Sequence, residues 1–147
     1  MIKPIIAYGN PILRKVAIDI DKDYPDLQQL VQTMFDTMYA SDGVGLAAPQ
    51  IGLSIRMFVI DAAAFAEDYP EAKGFKKVFI NAHFVEESGK EWVFNEGCLS
   101  FPGIHEDVSR KANVTLRYLD ENFEEHTETF SGICARVVQH EYDHLDG

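Results

Sequence analysis

The chain closes on Gln139-His140-Glu141-Tyr142-Asp143-His144-Leu145-Asp146-Gly147, and the His-Glu-x-x-His spacing within it constrains the fold more than any other stretch. In an α-helix, side chains four apart lie one above the other on the same face. His140 and His144 can therefore hold one metal ion while Glu141 reaches a water on it. A metal that keeps one position open for water usually takes three protein ligands. Only Leu145, Asp146 and Gly147 follow His144, so the third ligand is expected upstream.

The upstream candidates are Cys98, Cys134, His83, His105, His126 and the carboxylates. Cys134 lies about 120° around the helix from His140 and more than a turn back, which makes it a small core residue. Cys98 sits in Asn95-Glu96-Gly97-Cys98-Leu99-Ser100, where Gly97 lets backbone approach something closely. A lone buried cysteine is by default inert packing, and both readings of Cys98 stay open at this point. A third stretch, Gly43-Val44-Gly45-Leu46-Ala47-Ala48-Pro49-Gln50, is small and flexible and ends in an amide side chain. Its glycines can serve as a helix stop, or can expose backbone to an extended peptide at Val44 and Gly45.

These three stretches resemble the three motifs of the peptide deformylases, in the family's order and with ordinary spacings. The opening Tyr8-Gly9-Asn10-Pro11-Ile12-Leu13-Arg14-Lys15-Val16-Ala17 is similar to the family's start, so the likeness covers essentially the whole chain. The resemblance implies a single catalytic domain over residues 1–147, ligated by Cys98, His140 and His144 to Fe²⁺, with Zn²⁺, Ni²⁺ or Co²⁺ able to substitute. It implies removal of the formyl group from N-formyl-methionyl nascent peptides in the cytoplasm, with the ribosome as a conceivable partner. Metal-bound water would attack the formyl carbon with Glu141 as general base. The oxyanion would be held by the Gln50 side-chain amide and the Leu99 backbone N–H. The peptide would run along Val44 and Gly45 and past Gly97, its methionine in an apolar pocket built from Val44, Phe94, Ile133 and Val137. Glu96 is expected to pair with Arg110 and hold the cysteine loop.

Family members generally run on past the third motif, and the reading is of a chain without that C-terminal extension. A non-catalytic deformylase-like module that keeps metal or peptide therefore stands as the alternative. An ordinary zinc peptidase would need a third ligand beyond the helix. A cysteine hydrolase using Cys98 and His140 would be indifferent to chelator.

Elsewhere the residues give the frame. At 147 residues with 46% hydrophobic content, one domain with one core is expected. A net charge of −11 opposes a direct nucleic-acid role, and no apolar run reaches the length of a membrane span. Pro25 suits a first helical turn, and Leu27, Leu30, Val31, Met34, Phe35 and Met38 follow helical spacing up to a stop at 41–43. Strands are expected at 56–60 and 77–81, with a turn at Ser88-Gly89-Lys90 and a backbone break at Phe101-Pro102-Gly103. The stretch 61–74 reads as a surface insertion without chemistry. Val114, Leu116 and Tyr118 begin a β-hairpin that returns over 123–130, with His126 on its watery side. The architecture is α+β: antiparallel strands packed around a C-terminal helix that carries the metal, with an N-terminal amphipathic helix.

Overall fold

In the computed structural model the described residues are 2–6, 10–98 and 101–147, those at 97, 98 and 101–106 by backbone alone. Five antiparallel strands form one sheet in sequence order: β1 (Gly45–Ala47), β2 (Met57–Asp61), β3 (Lys76–Cys98), β4 (Phe101–Leu119) and β5 (Glu125–Ser131). Two helices, α1 (Leu27–Ala40) and α2 (Gly132–Asp143), cover it. The α+β architecture with a C-terminal helix is the one the sequence implies.

The placement of the helices follows from alternation along the strands. In β2, Phe58 and Ile60 join a cluster with Ile133, Val137 and Val138 of α2, while Met57 and Val59 join Val31, Met34, Phe35 and Met38 of α1. Successive strand residues point to opposite faces. A central strand covered on both sides must therefore be apolar throughout, as Met57-Phe58-Val59-Ile60 is. In β4 the even-numbered Val114, Leu116 and Tyr118 all face the α2 side, so the period-two pattern that marks the hairpin also selects which helix it packs against.

Three local expectations are corrected. α1 begins at Leu27 rather than at Pro25, because Asp21 turns the chain first: its side chain accepts from Asp23 N and its carbonyl from Tyr24 N. Asp26 then stands at the cap with a left-handed φ of 55°. Ser88-Gly89-Lys90 does not reverse the chain. β3 continues through it with a register shift between Ser88 and Glu91, and Gly89 takes a φ of 86°. That is a β-bulge, in which glycine absorbs the left-handed backbone while pairing resumes. Phe101-Pro102-Gly103 likewise lies inside β4, since a two-stranded β3–β4 arm continues as far as the pairing of Cys98 with Phe101.

Arg56, expected only to begin a strand, is 4% exposed and joins four segments. Its guanidinium donates to Ala82 O at 2.9 Å, to Ala17 O and Leu145 O at 3.3 Å, to the Tyr142 hydroxyl at 3.1 Å and to Asp146 Oδ1 at 3.0 Å. The N-terminal arm and the turn after α2 are thereby tied to the sheet. Arg56→Met fills the volume but leaves those acceptors unmatched, and is expected to lower unfolding free energy by about 2–4 kcal/mol in urea titration. A loss under about 0.5 kcal/mol, the scale of ordinary surface changes, would contradict this role.

Candidate metal centre

The sheet and α2 bring the chemically active residues together at the helix's C-terminal end. His140 and His144, one helical turn apart, have ring centroids separated by 5.5 Å at an interplanar angle of 75°. Both are half-buried. His140 is oriented from outside: its Nδ1 lies 2.8 Å from Glu96 Oε1, which leaves Nε2 as the ring nitrogen on the side away from Glu96. A carboxylate on one imidazole nitrogen fixes the tautomer and aims the other.

Glu96 is the hub of this arrangement. Arg110 donates to it from Nε at 2.9 Å and from Nη2 at 3.0 Å, and Arg136 donates from Nη1 at 2.8 Å. The expected Glu96–Arg110 pair is formed, and Arg110 also reaches Asp143 Oδ2 at 2.7 Å, on the turn between the two histidines. Burial by itself would raise the Glu96 pKa; the hydrogen bonds from His140, Arg110 and Arg136 outweigh it and hold the carboxyl at about 2. The folded value lies below the ordinary 4.5. Its stabilising contribution is thus fully present above pH 4.5 and is lost as pH falls through about 2. Glu96→Gln is expected to be less stable than the parent near neutrality, with the gap closing over that acid window. Metal affinity should fall about 10–100-fold. Equal metal affinity in the variant and the parent would remove Glu96 from the site.

Arg136 is the residue that sequence reading missed. Its side chain is only 2% exposed, donates to the Trp92 and Val108 carbonyls, and stacks over the Trp92 ring at 4.5 Å. The signal was present in the spacing, since Arg136 stands four before His140 and so on the same helix face.

Glu141 is 5% exposed and packs against β1. A Cβ on Gly45 would lie 2.6 Å from Glu141 Oε2 and 2.8 Å from its Cγ and Cδ. Gly45 is therefore needed for its missing side chain, which makes room for the carboxylate. Gln50, 1% exposed, lies in the 3₁₀ turn Ala48–Ile51 that follows β1. Its Oε1 accepts from Ala47 N at 3.0 Å and its backbone carbonyl from Ile6 N at 2.7 Å, so the orientation of the amide is set by its own turn. Ile133 and Val137 are buried in the α2-side core, with Val44 and Phe94 half-buried against it.

Cys98 is the last residue of β3. Its side chain and that of His105 lie outside the described residues, as does Leu99 entirely, and Gly97 is described by its backbone as part of β3. Two residues earlier on the same strand, Glu96 touches His140. Two of the other upstream histidines are engaged elsewhere: His83 bonds Asp19 and His126 bonds Asp120, each at 2.8 Å. Cys134 is buried and donates to Glu71 O. Burial, then the nearby Glu71 charge, pushes its pKa up and keeps it a neutral thiol.

Comparison with known proteins agrees with this geometry. The family model for polypeptide deformylase matches residues 2–147. A peptide deformylase of Christiangramia forsetii is 58% identical over 154 residues, covering 100% of this chain and 79% of the relative. The crystal structure of peptide deformylase from Thermotoga maritima superposes with a TM-score of 0.88 at 37% identity, covering 99% of this chain and 92% of that one. A class I type b peptide deformylase of Acinetobacter baumannii gives 0.90 at 33% identity, covering 100% and 95%. A likeness of this extent, over fold and motifs together, places the chain in the peptide deformylase family.

Proposed function

We propose that this chain deformylates nascent peptides through Glu141, Gln50 and a metal held by His140, His144 and Cys98. One observation carries the reading: two histidines a turn apart, one aimed by Glu96, with a buried carboxylate between them in sequence. Two imidazoles and a thiolate suit a borderline divalent ion, and we assign Fe²⁺, with Zn²⁺, Ni²⁺ or Co²⁺ as substitutes. Such an ion supplies Lewis-acid polarisation and a more acidic water.

The residues do the rest. Glu141 accepts a proton from the water that adds to the formyl carbon and delivers it to the amine nitrogen as the C–N bond breaks, releasing formate and a free N-terminus. The Gln50 amide, its oxygen already engaged by Ala47 N, turns its donor end to the developing oxyanion, with the Leu99 N–H as the second donor. β1 is an edge strand of the sheet, which suits the addition of an extended peptide along Val44 and Gly45 and past Gly97. The methionine side chain enters the apolar group of Val44, Phe94, Ile133 and Val137.

A nascent-peptide substrate supports a cytoplasmic reaction, with the ribosome supplying the peptide. Among the described residues no helix is long and apolar enough to cross a membrane. The non-catalytic alternative is not favoured, since the relatives and solved neighbours carry the enzyme's name. Formate release from a formyl-methionyl peptide under anaerobic conditions with Fe²⁺ or Ni²⁺ tests the reading. Turnover should cease with chelator and should not occur on the acetylated peptide. Turnover indifferent to chelator would overturn it in favour of a cysteine hydrolase.

A further inference from the structure

The stretch between β2 and β3, read from sequence as an insertion without chemistry, is docked at one end onto Val44 and at the other onto the neighbours of Ile133. At its start, Asp61 N donates to Val44 O at 2.9 Å. At its far arm, the Glu71 carbonyl accepts from Cys134 Sγ at 3.4 Å, and the Glu71 carboxylate lies against Gly132, with Oε2 2.7 Å from where a Cβ would stand. Gly132 and Cys134 flank Ile133. Ala62 N bonding Phe75 O at 2.9 Å closes the neck of the loop. Between these anchors, Phe65 and Tyr69 meet the Phe94 ring edge-on, at centroid distances of 5.9 and 6.1 Å and angles of 80° and 70°. The insertion thus touches Val44, Phe94 and the helix turn that carries Ile133.

Phe65 and Tyr69 are half-buried. Packing alone would be met by leucines, whereas this arrangement crosses aromatic rings beside a space assigned to a thioether. Sulfur contacts aromatic rings favourably, often at the ring edge, and a methylene of the same size does not gain that contact. Resting on the deformylase reading, we propose that Phe65 and Tyr69 are specificity-determining residues. They complete an aromatic wall with Phe94 that selects the methionine thioether over an isosteric hydrocarbon.

The test compares kcat/KM for formyl-methionyl and formyl-norleucyl forms of one peptide, in the parent, in Phe65→Leu, in Tyr69→Leu and in the double variant. The parent should prefer methionine about two- to tenfold. The methionine-to-norleucine ratio should fall in each single variant and fall further in the double. A parent with no preference, a ratio unchanged in every folded variant, or equal loss on both substrates would overturn the assignment. The single variants keep it testable where the double does not fold. Failure of the parent on both peptides would instead reject the deformylase reading, and this inference with it.

Discussion

Replacing Glu141 by Gln is expected to cut formate release by about 10²–10⁴-fold, the range for loss of a positioned acid–base group. The amide occupies the same volume, so the close packing against Gly45 survives and unfolding transitions should match the parent's. The amide cannot take a proton from water. Metal content should also be unchanged, because the proposed ligands His140 and His144 stand on either side of position 141 and His140 is aimed by Glu96. Formate assay, thermal melt and metal analysis on one preparation check all three. A variant within about tenfold of the parent would mean that the proton travels elsewhere.

Gly45→Ala is the second large effect, and it acts on the same carboxylate from the facing strand β1. The added methyl would stand 2.6–2.8 Å from three atoms of Glu141, closer than nonbonded atoms tolerate. Glu141 lies on a helix fixed by core contacts, and Gly45 is paired with Ile60 in the sheet. Neither backbone can move cheaply. Overpacking of this kind costs about 1–3 kcal/mol, and displacing the carboxylate should lower kcat by at least about tenfold. The two substitutions should not add: once Glu141 is Gln, Gly45→Ala has no base left to displace, and the double variant should fall little below Glu141→Gln alone. Full additivity in kcat would show that Gly45 acts on something other than Glu141.

What sequence made legible is what local periodicity and short motifs encode. Helical spacing from Leu27 marks α1, alternation over Val114–Tyr118 marks the hairpin, and His140 and His144 lie a turn apart because a helix demands it. The contacts between distant segments were harder to read. Glu96 meets Arg136 across 40 positions, and Arg56 meets Leu145 across 89. No periodicity reports such pairs, because they are decided by how the β3–β4 arm and the turn after α2 fold back on the sheet. Bulges were misread for a related reason. Ser88-Gly89-Lys90 has the composition of a chain reversal, yet the long pairing of β3 with β4 on both sides absorbs it as one irregular step. The insertion at 61–74 looked inert because its aromatic residues carry no motif. Its meaning lies in Phe94 beneath Phe65 and Tyr69.

In the proposed function, one metal at His140, His144 and Cys98, with Glu141 beside it, supports the deformylation. Titrating metal-free protein with Fe²⁺ or Ni²⁺ under anaerobic conditions, while following both bound metal and formate release from a formyl-methionyl peptide, tests it most directly. Release should rise in proportion to bound metal and level off at about one equivalent per chain, as three protein ligands and one open position require. Glu141→Gln should take up the same equivalent in silence. Formate release from metal-free protein, or a full equivalent bound by the parent with no release, would contradict the claim.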